Sequence, residues 1–363
     1  MQKYFKVFVL LLLFLVFTNY EPAYANHKAR TLSPSPASGT VTVGGNISGI
    51  AIDPTSGSLL ITDYTSNKAI FYAGMGGDPI LSMGKNIPDS MTMDTTFIHN
   101  PLNVVFDSSS HSFFVANSNI PAPDSMSSSV TAITIIRDNG TPFFTSSLTS
   151  EVLMLSANAT LSGIALNTDD HLAFISLFNN NSIVIQNTAN FNEQEIIRDI
   201  GKGPVGVAYD VDNDIIYVAN SIDMTISVLG KVIGEGNAYR KINTISLNFT
   251  PIGIVIDPDS GSLYLTKQGT NTFEILEPND NNSFDFVNPS FSVNAIAIDT
   301  TGHRVFIVNS DQGTLTVIDT TTNTVKNTYS VDNAQSITYS PSKNKLFIGT
   351  SDGKLVTINA TRL

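Results

Sequence analysis

Five histidines, eight methionines and several acidic runs carry most of the chemistry open to this 363-residue chain. The histidines are His27, His99, His111, His171 and His303. Three imidazoles converging on one point would hold zinc. Methionines gather at Met75, Met83, Met91, Met93 and Met126. Thioether sulfur favours Cu(I), so Met91, Met93, His99 and Met126 form one candidate soft-metal set. Methionine also fills irregular gaps, so the same segments would serve as a lid or a partner-binding patch. DVDND (210–214) imitates the opening of a calcium loop. Ile215 stands where that loop needs glycine, and Ser221 where it needs glutamate. EPNDNNS (277–283) is a second acidic loop. Calcium and copper are the cofactors to consider, and the sequence requires neither. No GxSxG or Walker motif occurs, so serine nucleophiles and P-loops find no support.

Which side chains can meet depends on the elements that carry them, and repeats decide those elements. One pattern recurs: a short apolar strand ending in an acidic or small residue, a turn, then a second apolar strand. Its copies are SGIAIDPTSGSLLITD (48–63), LNVVFDSSSHSFFVAN (102–117), SGIALNTDDHLAFISL (162–177) and VGVAYDVDNDIIYVAN (205–220). They continue with IGIVIDPDSGSLYLTK (252–267), NAIAIDTTGHRVFIVN (294–309) and QSITYSPSKNKLFIGT (335–350). We call these repeats 1 to 7. A third strand follows each copy, as in KAIFYAG (68–74) and AITIIRD (132–138). A fourth follows most, as in EVLMLS (151–156), EIIRDI (195–200) and INTISL (242–247). Four antiparallel strands at this spacing predict an all-β fold, a seven-bladed β-propeller of four-stranded blades. Repeat 7 stops at its third strand. GTVTVGG (39–45) belongs to no other repeat, so strand 40–43 is expected to pair with the C-terminal blade and close the ring.

The repeat alignment sorts the candidate residues. Gly57, His111, His171, Asp214, Gly261, His303 and Asn344 share one column, four residues after the first strand ends. These types tolerate positive φ, so the column reads as a tight turn and spreads the histidines around the rim. A second column closes the second strand: Asp63, Asn117, Leu177, Asn220, Lys267, Asn309 and Thr350. By strand direction it shares a face with Asn103, Asn294 and Gln335 at the starts of inner strands. Asp63, Asn103, Asn117, Asn220, Lys267, Asn294, Asn309 and Gln335 are therefore the candidate ligand-binding or partner-binding face. Capping of strand ends is the competing role. Gly49, Gly163, Gly206 and Gly253 stand near the axis, where crowding would demand glycine.

IYVANSIDMTISVLG (216–230), VFIVNSDQGTLTVIDTTTNTV (305–325) and the IDPTSG and IDPDSG turns resemble the YVTN-type propeller repeat of secreted and surface-layer-type proteins. The resemblance runs over nearly all of residues 39–363. It implies fold and export more than chemistry. Propellers of this general kind include lactonases, lyases and binding scaffolds. The lactonases hold a metal with carboxylates and amides in the central channel, and no such set maps onto this chain residue by residue.

Two insertions break the regularity: residues 85–101 before repeat 2 and SNIPAPDSMSSSVT (118–131) inside it. Each contains PDSM. Both are expected as long loops on one face, where long loops usually serve function.

Bulk properties narrow the partners. The net charge is −12, which argues against nucleic acid and anionic lipid. No cysteine is present, so stability must come from a large core. Residues 1–25 read as a signal peptide cleaved near Ala25-Asn26: two lysines, an apolar run at 7–17, then Ala23-Tyr24-Ala25. That run is too short for a membrane span. Residues 26–38 are expected as a flexible segment, with residues 39–363 one domain. N-glycosylation sequons begin at Asn46, Asn139, Asn158, Asn180, Asn248, Asn281 and Asn359; their number matches chance. The expected function is a secreted or cell-surface, monomeric binding scaffold for a protein or carbohydrate, leaning away from an enzyme. The alternatives are a lactonase-like or lyase-like enzyme with a metal-assisted site at the channel mouth, and a copper-binding surface protein.

Overall fold

Second strands such as Leu59–Asp63 are buried along their whole length, and Ile215–Asn220, Arg304–Asn309 and Lys345–Thr350 along all but their first residue. A strand of that kind needs cover on both faces. The computed structural model provides it by setting antiparallel sheets side by side in a ring, a β-propeller. The structure describes residues 37–72, 90–92, 100–122, 125–134, 136–138, 141–143, 161–190, 192–232, 238–268, 273–276 and 295–363.

The first strand of each repeat lines the inside of the ring. These inner strands are Ile47–Ile52, Pro101–Asp107, Leu161–Asn167, Pro204–Asp210, Pro251–Asp257, Ala295–Asp299 and Ala334–Ser340. Each pairs antiparallel with the second strand of its own repeat, as in Val207↔Val218 and Ile337↔Ile348. Among the described residues, six sheets of three or four strands are built from consecutive strands. One further sheet is composite: Ala37–Thr42 lies against Lys354–Asn359, with Thr40↔Val356 and Thr42↔Lys354 in register. The expected closure of the ring by the N-terminal strand is therefore present. That strand begins at Ala37, two residues inside the stretch expected to be flexible. The backbone pairing it gains there offsets the entropy of ordering it.

The expectation of four strands in every repeat holds in part. Among the described residues, the sheets of repeats 2 and 5 have three. The fourth strand expected at 151–156 lies outside the described residues. In repeat 1 the fourth strand is Ser90–Thr92, paired through Phe71↔Met91, inside the stretch 85–101 expected as a loop. The insertion at 118–131 is not a loop. Ser112–Ala122 and Ser125–Thr134 form one long hairpin, laddered out to Ala122↔Ser125. Once two strands pair, continuing the ladder satisfies the backbone groups of both arms. The third strand of repeat 2 consequently sits earlier than 132–138, and Ile136–Asp138 instead joins Thr141–Phe143 in a short ribbon.

The core lies between sheets. Phe174, Ile183 and Ile185 of repeat 3 pack with Val207, Ile216 and Leu229 of repeat 4. Phe347 and Leu355 of repeat 7 pack with Ile47, Leu59 and Ile61 of repeat 1. The buried aromatics Phe113, Phe174, Tyr264, Phe306 and Phe347 all come from second strands. Burying one such side chain stabilises by about 1.5–3 kcal/mol.

Near the axis the inner strands crowd. A Cβ on Gly163 would lie 2.2 Å from the Val205 carbonyl oxygen, and one on Gly206 2.6 Å from that of Ile252. Those carbonyls belong to the next repeat, so glycine is required by close approach. Hydroxyls stitch the same junctions: Ser48 Oγ donates to Pro101 O (2.6 Å), Ser176 Oγ to Val205 O (2.6 Å) and Ser336 Oγ to Ile47 O (3.1 Å).

Candidate functional site

The acidic residues that end the inner strands are structural. Asp53, Asp107, Asn167, Asp210, Asp257 and Asp299 are buried, as is Ser340. Most turn their side chains back on the chain. Asp53 Oδ1 accepts from the Thr55 and Ser56 amides, and Asp210 Oδ1 from the Asp212 and Asn213 amides. These are Asx turns. All seven members of the following column have positive φ, from 47° at Asn344 to 73° at Gly57. His111, His171 and His303 are in this conformation because it tolerates few residue types. Their rings reach sideways: His171 Nδ1 is 2.8 Å from Ser109 Oγ, and His303 Nδ1 is 4.0 Å from Asp259.

DVDND is part of a latch between repeats 3 and 4. Lys231 bridges Asp170 and Asp214, at 2.8 Å each. Tyr209 and Tyr239 both donate to Asp214 Oδ1, and Asn167 Nδ2 donates to the Tyr209 hydroxyl. Burial works to raise the Asp214 pKa, but donation from Lys231, Tyr239 and Tyr209 outweighs it and holds the carboxyl low. Burial, then the Asp214 carboxylate, push both tyrosines up. The carboxylates of Asp210 and Asp214 are thus engaged in turn and latch. A second latch joins repeats 6 and 7. Arg304 holds Asp299 through Nε (3.1 Å) and reaches the Ala360 carbonyl, while Tyr339 donates to Asn344 Oδ1 (3.1 Å). Burial first, then Asp299, push the Tyr339 pKa up to about 12.

Antiparallel pairing puts the start of each inner strand beside the end of its second strand, as in Ile47↔Asp63, Pro101↔Asn117 and Ala334↔Thr350. The candidate face therefore exists as one face, and its members divide. Asp63 is buried, and its Oδ1 accepts from the amides of Asn46, Thr65 and Ser66 (3.0, 3.0 and 3.1 Å). Asn117, Asn220 and Asn309 are buried. Asn220 donates to Thr225 and Ser227, and Asn309 accepts from the Gln312 amide. Lys267 forms an ion pair with Glu274, the two side chains being 14% and 3% exposed, and its ammonium lies 4.5 Å from the Phe249 ring centroid. Asn103 accepts from the amide of Val104. Capping and packing claim these side chains. Asn294 lies outside the described residues.

Gln335 differs. It lines a cavity of about 450 Å³ together with Asn46, Ser48, Tyr64 and Leu102. These residues start the inner strands of repeats 7, 1 and 2 and follow the second strand of repeat 1, so the cavity sits at the axis on the candidate face. Four of its five residues were missed in the sequence. Asn46 stood out only as a sequon, and Tyr64 fell one residue beyond the aligned column. The column after it would have been a signal: Tyr64, Ser118, Phe178, Ser221, Gln268, Ser310 and Ser351. A second cavity, of about 310 Å³, lies farther along the same three inner strands, between Ile50, Phe106 and Tyr339.

Of the candidate copper set, Met93 and His99 lie outside the described residues. Met91 lies in the fourth strand of repeat 1 and Met126 in the long hairpin of repeat 2. GKGPVG (201–206) has the spacing of a dinucleotide-binding glycine loop. It leads into the strand Pro204–Asp210, so no helix N-terminus is there to hold a phosphate. Among the described residues, no three His, Asp or Glu side chains group to hold a metal ion. Among the described residues, no helix is long and apolar enough to cross a membrane. No protein-family model matches the chain, and no curated protein matches it in sequence.

Proposed function

We propose that the protein is an exported, monomeric β-propeller of the YVTN-like kind that works as a binding scaffold at or near the cell surface. Its ring would count seven blades. What supports the count is the cycle of neighbouring inner strands, which runs from repeat 1 through repeat 7 and back to repeat 1. Export rests on the leader-like residues 1–25, which lie outside the described residues, as do residues 26–36. The observation that carries the binding reading is the mouth cavity lined by Asn46, Ser48, Tyr64, Leu102 and Gln335. It is concave, of ligand size, and offers hydrogen-bonding side chains beside an exposed ring. Among the described residues, Asp53, Asp210, Asp214 and Asp299 are committed to turns and latches. Labelled mature protein, incubated with cell-envelope material of its host, tests the reading. Saturable binding that falls for Gln335→Ala and Tyr64→Ala is expected. Binding no better than that of an unrelated acidic protein would sink it.

A further inference from the structure

We propose that the mouth cavity takes a neutral saccharide. The inference rests on the reading of this face as the binding face and goes further by naming the ligand chemistry.

The wall is rich in hydrogen-bonding groups yet uncharged. Asn46 and Gln335 present amides and Tyr64 a phenol, while the Ser48 hydroxyl, whose proton goes to the Pro101 carbonyl, can only accept. The neighbouring Asp63 carboxylate is only 3% exposed and accepts three backbone amides, and it is not among the residues that line the cavity. A cavity meant for an anion would carry a cation, and one meant for a metal would carry converging carboxylates or imidazoles. Amides that both donate and accept match the hydroxyl groups of a sugar, which do the same.

Two apolar surfaces complete the match. Tyr64 is 40% exposed, although an aromatic ring is usually buried. Most other repeats put serine or glutamine in its place, so the turn itself does not need a ring. Leu102 supplies a second apolar wall. The C–H face of a pyranose is apolar while its rim is polar, so a ring flanked by amides suits it. The volume of about 450 Å³ falls in the range of small-molecule sites and is far larger than one ion needs.

The test is titration calorimetry and saturation-transfer NMR of the mature protein. The panel holds neutral mono- to trisaccharides, with sialylated and sulfated sugars as the charged arm. At least one neutral saccharide should bind. Tyr64→Ala and Gln335→Ala should each weaken it tenfold or more, with melting temperatures close to wild type. The proposal is overturned if no neutral saccharide binds, if only charged ones do, or if both variants bind as the wild type does. If envelope binding persists while no neutral sugar binds or competes, the saccharide inference falls and the scaffold reading stands. If envelope binding is absent while a neutral sugar still binds with both variants weakened, the scaffold reading falls and the site remains.

Discussion

At the scale of single residues, what matters most is which side chains are already engaged. His303 has φ of 50° and sits in a column that glycine also fills. His303→Gly should therefore leave stability within about 0.5 kcal/mol of wild type, whereas His303→Val should cost roughly 1–2 kcal/mol, because a branched Cβ is strained there. Equilibrium urea unfolding separates the two outcomes. Equal losses for both would mean that the ring, not the backbone, is what the position needs. Lys267 and Glu274 make a sharper case. Each charge is withdrawn from water and each is compensated mainly by the other. Lys267→Met or Glu274→Leu alone should cost about 3–5 kcal/mol, and the double variant much less than the sum. A double-mutant cycle in urea measures this. Additive losses would mean that the two charges do not interact.

At the scale of elements, the composite sheet is the vulnerable one. The strand Ala37–Thr42 covers an edge of Lys354–Asn359 that would otherwise present unpaired backbone groups. Val41, and Val43 just after the strand, pack half-buried against the cluster around Ile47 and Phe347. Each ladder hydrogen bond contributes about 0.5–1.5 kcal/mol, so losing this strand removes several kcal/mol and exposes a sticky edge. A chain beginning at Gly44 should melt well below a chain beginning at Ala37 and should elute as aggregate. Size-exclusion chromatography and thermal melts check this. Unchanged behaviour in both would show that the other sheets hold the ring without help. The long hairpin Ser112–Thr134 is a second special element. It extends on the cavity face from repeat 2, one of the three repeats that line the mouth.

For the whole molecule, the latches make stability depend on pH at the alkaline end. Burial and Asp299 raise the folded-state pKa of Tyr339 to about 12, against about 10 when unfolded. A raised tyrosine pKa gives stability that is complete below the unfolded value and is lost as pH rises through the window from about 10 to 12. Tyr209 and Tyr239 shift in the same direction at another junction. Because the sheets share their cores pairwise around the ring, loosening one junction weakens its neighbours. The melting temperature should therefore fall as pH rises above 10, and Tyr339→Phe should flatten part of that fall. A variant with an unchanged alkaline limb would show that this hydroxyl is not part of the linkage.

The repeats, the strand alternation and the spare N-terminal strand were legible in the sequence, because each depends on local pattern: apolar period, turn chemistry and strand count. The positive-φ column was legible for the same reason, and it turned three suspicious histidines into turn residues. The insertion at 118–131 was misread, because its serines say nothing about pairing until a partner strand lies alongside. The alignment could place the strand ends of the candidate face side by side, yet most of its named members are buried by capping and ion pairing that alignment cannot see. Asn46, Ser48, Leu102 and Gln335 come together only when repeats 7, 1 and 2 close around the axis, since the chain separates Gln335 from the others by more than 200 residues. Local chemistry set the strands and turns, and ring closure alone decided which polar side chains meet at the mouth.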